Sequence, residues 1–102
     1  MVHVVATIEL VDGKREAFLQ EFHKLVPLVY AEAGCHEYGP YLDEETDIEA
    51  QGGARDNVVT VLEKWKDVAS LKAHLEAPHM GEFRESVKDL VSSVKLQILK
   101  QA

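Results

Sequence analysis

"NVVTVLEKW", Asn57 to Trp65, is the stretch whose reading decides the fold. Its alternation places Val59, Val61, Glu63 and Trp65 on one face and Val58, Thr60, Leu62 and Lys64 on the other, the two-residue period of a β-strand. Both faces carry apolar side chains, so the strand is expected to be covered on both sides.

Upstream, "VHVVATIEL" (Val2 to Leu10) is a second alternating segment, with Val4, Ala6, Ile8 and Leu10 on one face and His3, Val5, Thr7 and Glu9 on the other. Asp12-Gly13 marks a turn, with Asp12 able to cap the helix that follows. From Lys14 to about Ala33 the period is helical, with Phe18, Phe22, Leu25, Val26 and Val29 in one stripe. Pro27 is expected to kink that helix or divide it near Val26, and Gly34 to end it. "CHEYGPYLD" (Cys35 to Asp43) reads as another strand; Pro40 cannot donate to a ladder, which points to an edge or bulged position. Glu44 to Asp56 is a long polar connection, of a length that is usually functional or mobile.

Downstream, "DVASLKAHLEA" (Asp67 to Ala77) predicts a short helix with Val68, Leu71 and Leu75 inward. Pro78 interrupts it, and a further helix is expected from about His79 to Val91, with Met80, Phe83, Val87, Leu90 and Val91 in its stripe. "SVKLQILK" (Ser93 to Lys100) closes the chain as a fourth strand. The order is β-α-β-β-α-β, an α+β, ferredoxin-like single domain over residues 1–102, with helices on one face of an antiparallel sheet. The other face is left open, and the doubly apolar strand says it should not be wet. Two copies packed sheet against sheet as a homodimer satisfy both conditions.

Composition excludes several classes of function. With 46% hydrophobic and 28% charged residues the chain is that of an ordinary globular protein. A net charge of −7 and scattered basic residues argue against nucleic acid as a partner. No apolar run approaches the ~18 residues needed to span a membrane, and the N-terminal segment does not resemble a secretion signal. A single cysteine, Cys35, allows no intrachain disulfide, so a reducing cytoplasm is the expected location. "DEETDIE" (Asp43 to Glu49) lacks the regular ligand spacing and glycine of a calcium loop and reads as solvated.

The residues that could carry chemistry are His74, His79, His36, Trp65, Tyr38, Tyr41, Glu63 and Cys35. His74 and His79 flank Pro78 at a spacing of five, whereas two histidines on one helix chelate a metal best at i, i+4; no metal site is expected. On the residues alone, His74 reads as a polar packing residue and His79 as part of a helix start, although both imidazoles can carry protons near neutrality. Trp65 reads first as core and second as a wall for an aromatic ligand. Cys35 follows a helix C-terminus, where the dipole raises a thiol pKa, and is expected to be inert. No glycine-rich phosphate loop or serine nucleophile elbow is present.

Taken together, "EAGCHEYGPYLD" (Glu32 to Asp43), "VLEKW" (Val61 to Trp65) and "LKAHLEAPHM" (Leu71 to Met80) resemble the antibiotic biosynthesis monooxygenase domain family, most closely its bacterial quinol monooxygenases. "FHKLVPLVYAEAGCHEY" (Phe22 to Tyr38), Val87-Lys88 and the terminal "ILK" (Ile98 to Lys100) extend the likeness over nearly the whole chain. The resemblance implies a dimeric α+β barrel with a pocket between sheet and helices, and oxidation of quinol-type aromatics by O2 without metal, flavin or haem. It makes His74 the candidate proton acceptor and His79 the second choice. Trp65, Met80 and Phe83 are then cavity walls, and Tyr38 orients the substrate oxygen. Haem-degrading members of the family pair a tryptophan and a histidine with a strand asparagine, which "VHVVATIEL" lacks. An isomerase branch resembles "HLEAPHM" (His74 to Met80) as well. A non-catalytic dimer that binds small aromatics is the alternative of a different class.

Overall fold

In the computed structural model, which describes Met1–Ala102, the alternating segments pair as one four-stranded sheet. The strands are β1 (Val2–Leu10), β2 (Cys35–Tyr41), β3 (Val58–Trp65) and β4 (Val91–Leu99), in the spatial order β2-β3-β1-β4 with antiparallel neighbours throughout. Helices α1 (Arg15–Tyr30), α2 (Val68–Glu76) and α3 (Pro78–Val87) complete the split βαβ arrangement that the sequence order predicts. No helix is long and apolar enough to cross a membrane.

The core forms where the apolar face of α1 meets one face of the sheet. Phe18, Leu19, Phe22, Leu25 and Val29 are buried on α1, against Val4, Ala6, Ile8 and Leu10 of β1 and Val59, Val61 and Trp65 of β3. Burying each such side chain stabilises the fold by about 1.5–3 kcal/mol. Leu19 joins the expected stripe, and Val26 lies at its margin.

Pro27 does not divide α1, which continues to Tyr30. Pro27 and His23 both lie on the exposed side of α1, where a carbonyl left without its donor is not stranded in the core. The strand containing Pro40 lies at the sheet edge, with a register irregularity between Cys35 and Glu37. Asp67 caps α2 by accepting from the Ser70 amide at 2.8 Å. Val68, expected inward, is 46% exposed, because α2 reaches the core only from its second turn, through Leu71 and His74. α3 ends at Val87, and Val91, expected on that helix, instead opens β4.

The uncovered apolar surface is distributed differently from expectation. Cross-strand pairing sets Ile98 beside Val4, Leu96 beside Ala6 and Val94 beside Ile8, on the helix side of the sheet. β4 is an edge strand that the helices leave largely uncovered, and Val94, Leu96 and Ile98 are 55%, 42% and 47% exposed. The far face of the sheet is mixed, with Val5 and Leu62 partly covered among Thr7, Thr60, Lys95 and Gln97.

The turn from α1 to β2 rests on Gly34, whose φ of +83° belongs to the left-handed region. A Cβ there would meet the Ser70 side chain, with its Cβ only 2.7 Å away. Gly34→Ala should therefore destabilise the fold by about 2 kcal/mol in urea unfolding. Gly13→Ala shares the positive φ but meets nothing within 4 Å, and should cost about half as much. Equal losses at the two positions would mean that the contact with Ser70 is not a constraint.

Candidate active site

β3 carries the first half of the site. Its inner face presents Val59, Val61, Glu63 and Trp65, as the alternation requires. Trp65 is fully buried, and its indole Nε1 donates to Glu63 Oε1 at 2.9 Å, which satisfies a polar group that would otherwise be stranded in the core. Strand pairing puts Glu63 between Val4 of β1 and Tyr38 of β2. Glu63 is 7% exposed and no cation pairs with it. Burial pushes its carboxyl up to about 7, against a smaller opposing effect of the indole hydrogen bond.

The second half comes from the break between α2 and α3. His74 lies on the inner side of α2, 2% exposed, with its ring 4.6 Å from the indole of Trp65 and 5.3 Å from the ring of Tyr38. Glu32, in the turn held by Gly34, brings Oε2 to 2.9 Å from His74 Nδ1 and to 2.7 Å from His79 Nε2. An ionised carboxylate only accepts, so each of these ring nitrogens carries the donated proton. The two imidazoles thus converge on a carboxylate oxygen rather than on a common open point. Desolvation lowers the His74 pKa, with Glu32 opposing it, so the ring is neutral at neutral pH. Its Nε2 makes no hydrogen bond within the chain and is free to act as an acceptor.

Both halves face a cavity of about 390 Å³ between sheet and helices, within the range of small-molecule sites. Tyr38, His74, Met80 and Phe83 line it, together with Phe22, and it opens toward Val94 and Leu96 of β4. Tyr38 stacks on Phe22 at 5.5 Å, while burial and the nearby Glu63 raise its pKa, so its hydroxyl stays protonated and can donate. Two residues expected at the cavity are placed elsewhere. Trp65 stands behind His74 and does not reach the cavity surface, because the indole fills the sheet face itself. His79 faces a surface groove between α1 and α3 and connects to the cavity only through Glu32 and His74.

Glu32 and Glu63 complete the site; Glu63 was among the candidates without an assigned role, whereas Glu32 does not stand out by spacing. Both lie inside the segments that carry the family resemblance, "EAGCHEY" and "VLEKW", which was the available signal. The Cys35 thiol is pushed up to about 11 by burial and by the nearby carboxylates, which disfavours the nucleophilic thiolate. The polar connection after β2 is fastened by Arg55, which forms a two-pronged ion pair with Asp43 at 2.8 and 2.9 Å.

The raised pKa of Glu63 has a consequence for stability. Below 4.5 its carboxyl is protonated in both the folded and the unfolded chain; between 4.5 and about 7 only the unfolded chain ionises, so stability falls as pH rises. Above that window the folded chain carries the buried charge and the full cost stands, about 3 kcal/mol. Glu63→Gln keeps an acceptor for the indole and removes the charge. It should unfold at higher urea than the parent at pH 8, and the gap should close as the pH falls toward 4.5. A gap that stayed constant with pH would mean that the buried carboxyl is not the source.

Comparison with known proteins shows the family and the fold. The antibiotic biosynthesis monooxygenase family model matches residues 1–86. The chain is 39% identical over 102 residues to a protein of Escherichia coli named "Probable quinol monooxygenase YgiN", covering 98% of this chain and 97% of that one. The crystal structure of PA3566 from Pseudomonas aeruginosa superposes with a TM-score of 0.82 at 28% identity, covering 99% of this chain and 93% of that one. Protein SO0527 from Shewanella oneidensis gives 0.79 at 26% identity, over 98% and 89% of the two chains. The chain belongs to the antibiotic biosynthesis monooxygenase family.

Proposed function

We propose that the protein is a cofactor-independent monooxygenase that oxidises a small quinol-type or phenolic aromatic with O2. The observation that carries this reading is the apolar cavity into which a neutral imidazole, backed by a carboxylate, and a protonated tyrosine hydroxyl both open. The family and the name of the Escherichia coli relative support the same chemistry.

The reaction balances without an external reductant. An aromatic 1,4-diol plus O2 gives the hydroxylated quinone plus water; one oxygen atom enters the ring, and the other leaves with two hydrogens. The substrate supplies all four electrons. What the protein must do is bind the ring, remove hydroxyl protons so that the electron-rich phenolate can reduce O2, and keep water out. Met80, Phe83 and Phe22 hold the ring, Tyr38 donates to a substrate oxygen, and His74 Nε2 accepts from a hydroxyl. Glu32 stabilises the imidazolium that forms, and His79 shares that carboxylate at the surface end. Trp65 fixes the orientation of His74 from behind.

A homodimer belongs to the same proposal. A second copy packed on the sheet would cover the apolar edge at Val94, Leu96 and Ile98, where the cavity opens, and so exclude solvent from it. The single, unpaired Cys35 fits a reducing cytoplasm.

Chelator-treated protein mixed with a reduced naphthoquinol in air should speed quinone formation and O2 uptake above the spontaneous rate. His74→Ala should lower that rate by about 100-fold with the fold retained. A panel of quinols with no acceleration would remove the enzyme reading in favour of a binding protein. Separately, Leu96→Glu should shift the mass measured by light scattering from two chains to one; a parent already monomeric would reject the dimer.

A further inference from the structure

Apart from the aromatics Trp65 and Tyr38, Glu63 and His74 are the only buried residues with a polar side chain, and they differ in how they are satisfied. His74 has a carboxylate partner in Glu32. Glu63 has only the indole N–H, taken at Oε1. Holding one indole N–H requires one acceptor oxygen, which an amide would provide without bringing an ionisable group into the core. The second oxygen, Oε2, has no partner in the chain, yet no fully enclosed polar atom is left without one. Glu63 borders two cavities, and because its side chain lies on the inner face of β3 with Val61 and Trp65, Oε2 opens on the inner one, between sheet and helices. A buried carboxyl aimed into a largely apolar cavity, with Arg84 on the lining but no cation within ion-pairing distance, is a costly arrangement that packing does not require.

We propose that Glu63 is a catalytic residue, whose Oε2 accepts the proton of a phenolic hydroxyl bound in the cavity while Trp65 holds the carboxylate in place through Oε1. The inference rests on the quinol-oxidation reading and adds to it a specific base and a requirement for a free hydroxyl on the substrate. The substrate O–H bond breaks, the proton passes to Oε2, and the electron pair stays on the phenolate oxygen, which then reduces O2. The proton is later delivered to the oxygen atom that departs as water, which restores the carboxylate. His74 is left to pair with the second hydroxyl of a diol. The charged or titratable groups facing Glu63 are Tyr38 and Cys35 from β2, Glu32 from the turn before it, His74 from α2 and Arg84 from α3. With its carboxyl pushed up to about 7, Glu63 is poised to take and return a proton near neutrality.

The test has two arms, run on the full chain and on Glu63→Gln. In the first, binding of 1-naphthol is measured by calorimetry without O2 at pH 6 and pH 8. The parent should bind it about fivefold tighter at the higher pH, where the carboxylate accepts a charge-assisted hydrogen bond. Glu63→Gln should lose that difference, and naphthalene, which has no hydroxyl, should show none with either protein. Naphthol binding that follows the same pH course in Glu63→Gln as in the parent overturns the proposal whatever the oxidation assay gives. In the second arm, kcat for a reduced naphthoquinol should fall by about 100-fold in Glu63→Gln; an unchanged kcat overturns Glu63 as the base. Should the parent oxidise no quinol while the naphthol arm behaves as expected, the monooxygenase reading fails and Glu63 stands as the hydroxyl acceptor.

Discussion

The indole of Trp65 and the imidazole of His74 lie ring against ring at 4.6 Å in the middle of the core, and each nitrogen that faces protein is bound by a separate carboxylate. The rest of the molecule is arranged around that constraint. Two polar rings can be buried together only if their N–H groups are satisfied, because each unmet donor in an apolar interior costs about 1–3 kcal/mol. Glu63 meets the demand from within β3, and Glu32 meets it from the turn that Gly34 allows. The same two bonds leave Glu63 Oε2 and His74 Nε2 free on the cavity side. The atoms available for chemistry are thus what remains after the core has satisfied itself.

The two carboxylates solve unlike electrostatic problems. Glu32 sits nearer the surface, where its side chain is 14% exposed, and two imidazole donors share its charge. Glu63 lies deeper, with one neutral donor and no cation, and its ionisation is correspondingly resisted. The fold would be more stable at neutral pH without that charge. Natural proteins keep destabilising groups of this kind where function uses them. The acidic balance of the surface is a separate matter, concentrated in the Asp43–Asp56 connection that Arg55 ties back to Asp43.

Much of the architecture was legible from periodicity. The inner face of β1, the aromatic stripe of α1, the edge position of the strand containing Pro40 and the helix break at Pro78 each follow from a local rule, and the structure contains all four. Helix ends were less legible: the run to Val91 stops at Val87, and Val68 points outward, since propensity does not say where a helix leaves the core. Among the site residues, His74, Tyr38, Met80 and Phe83 reach the cavity. Trp65 and His79 do not, because a residue known to face inward can still stand behind another, and one beside the helix break can lie on its outer side.

The amino-acid sequence by itself determined the order of elements, the face on which each side chain lies and the family to which the chain belongs, because these depend on spacing within short segments and on their succession. Only the tertiary structure decided that the one carboxylate of Glu32 meets both His74, 42 positions away, and His79, 47 positions away. It also decided that Glu63 carries a free oxygen into the cavity, and that the exposed apolar edge lies on the helix side of β4. These are consequences of strand register and of where α2 comes to rest, and contacts between segments so far apart leave no periodic trace in the chain.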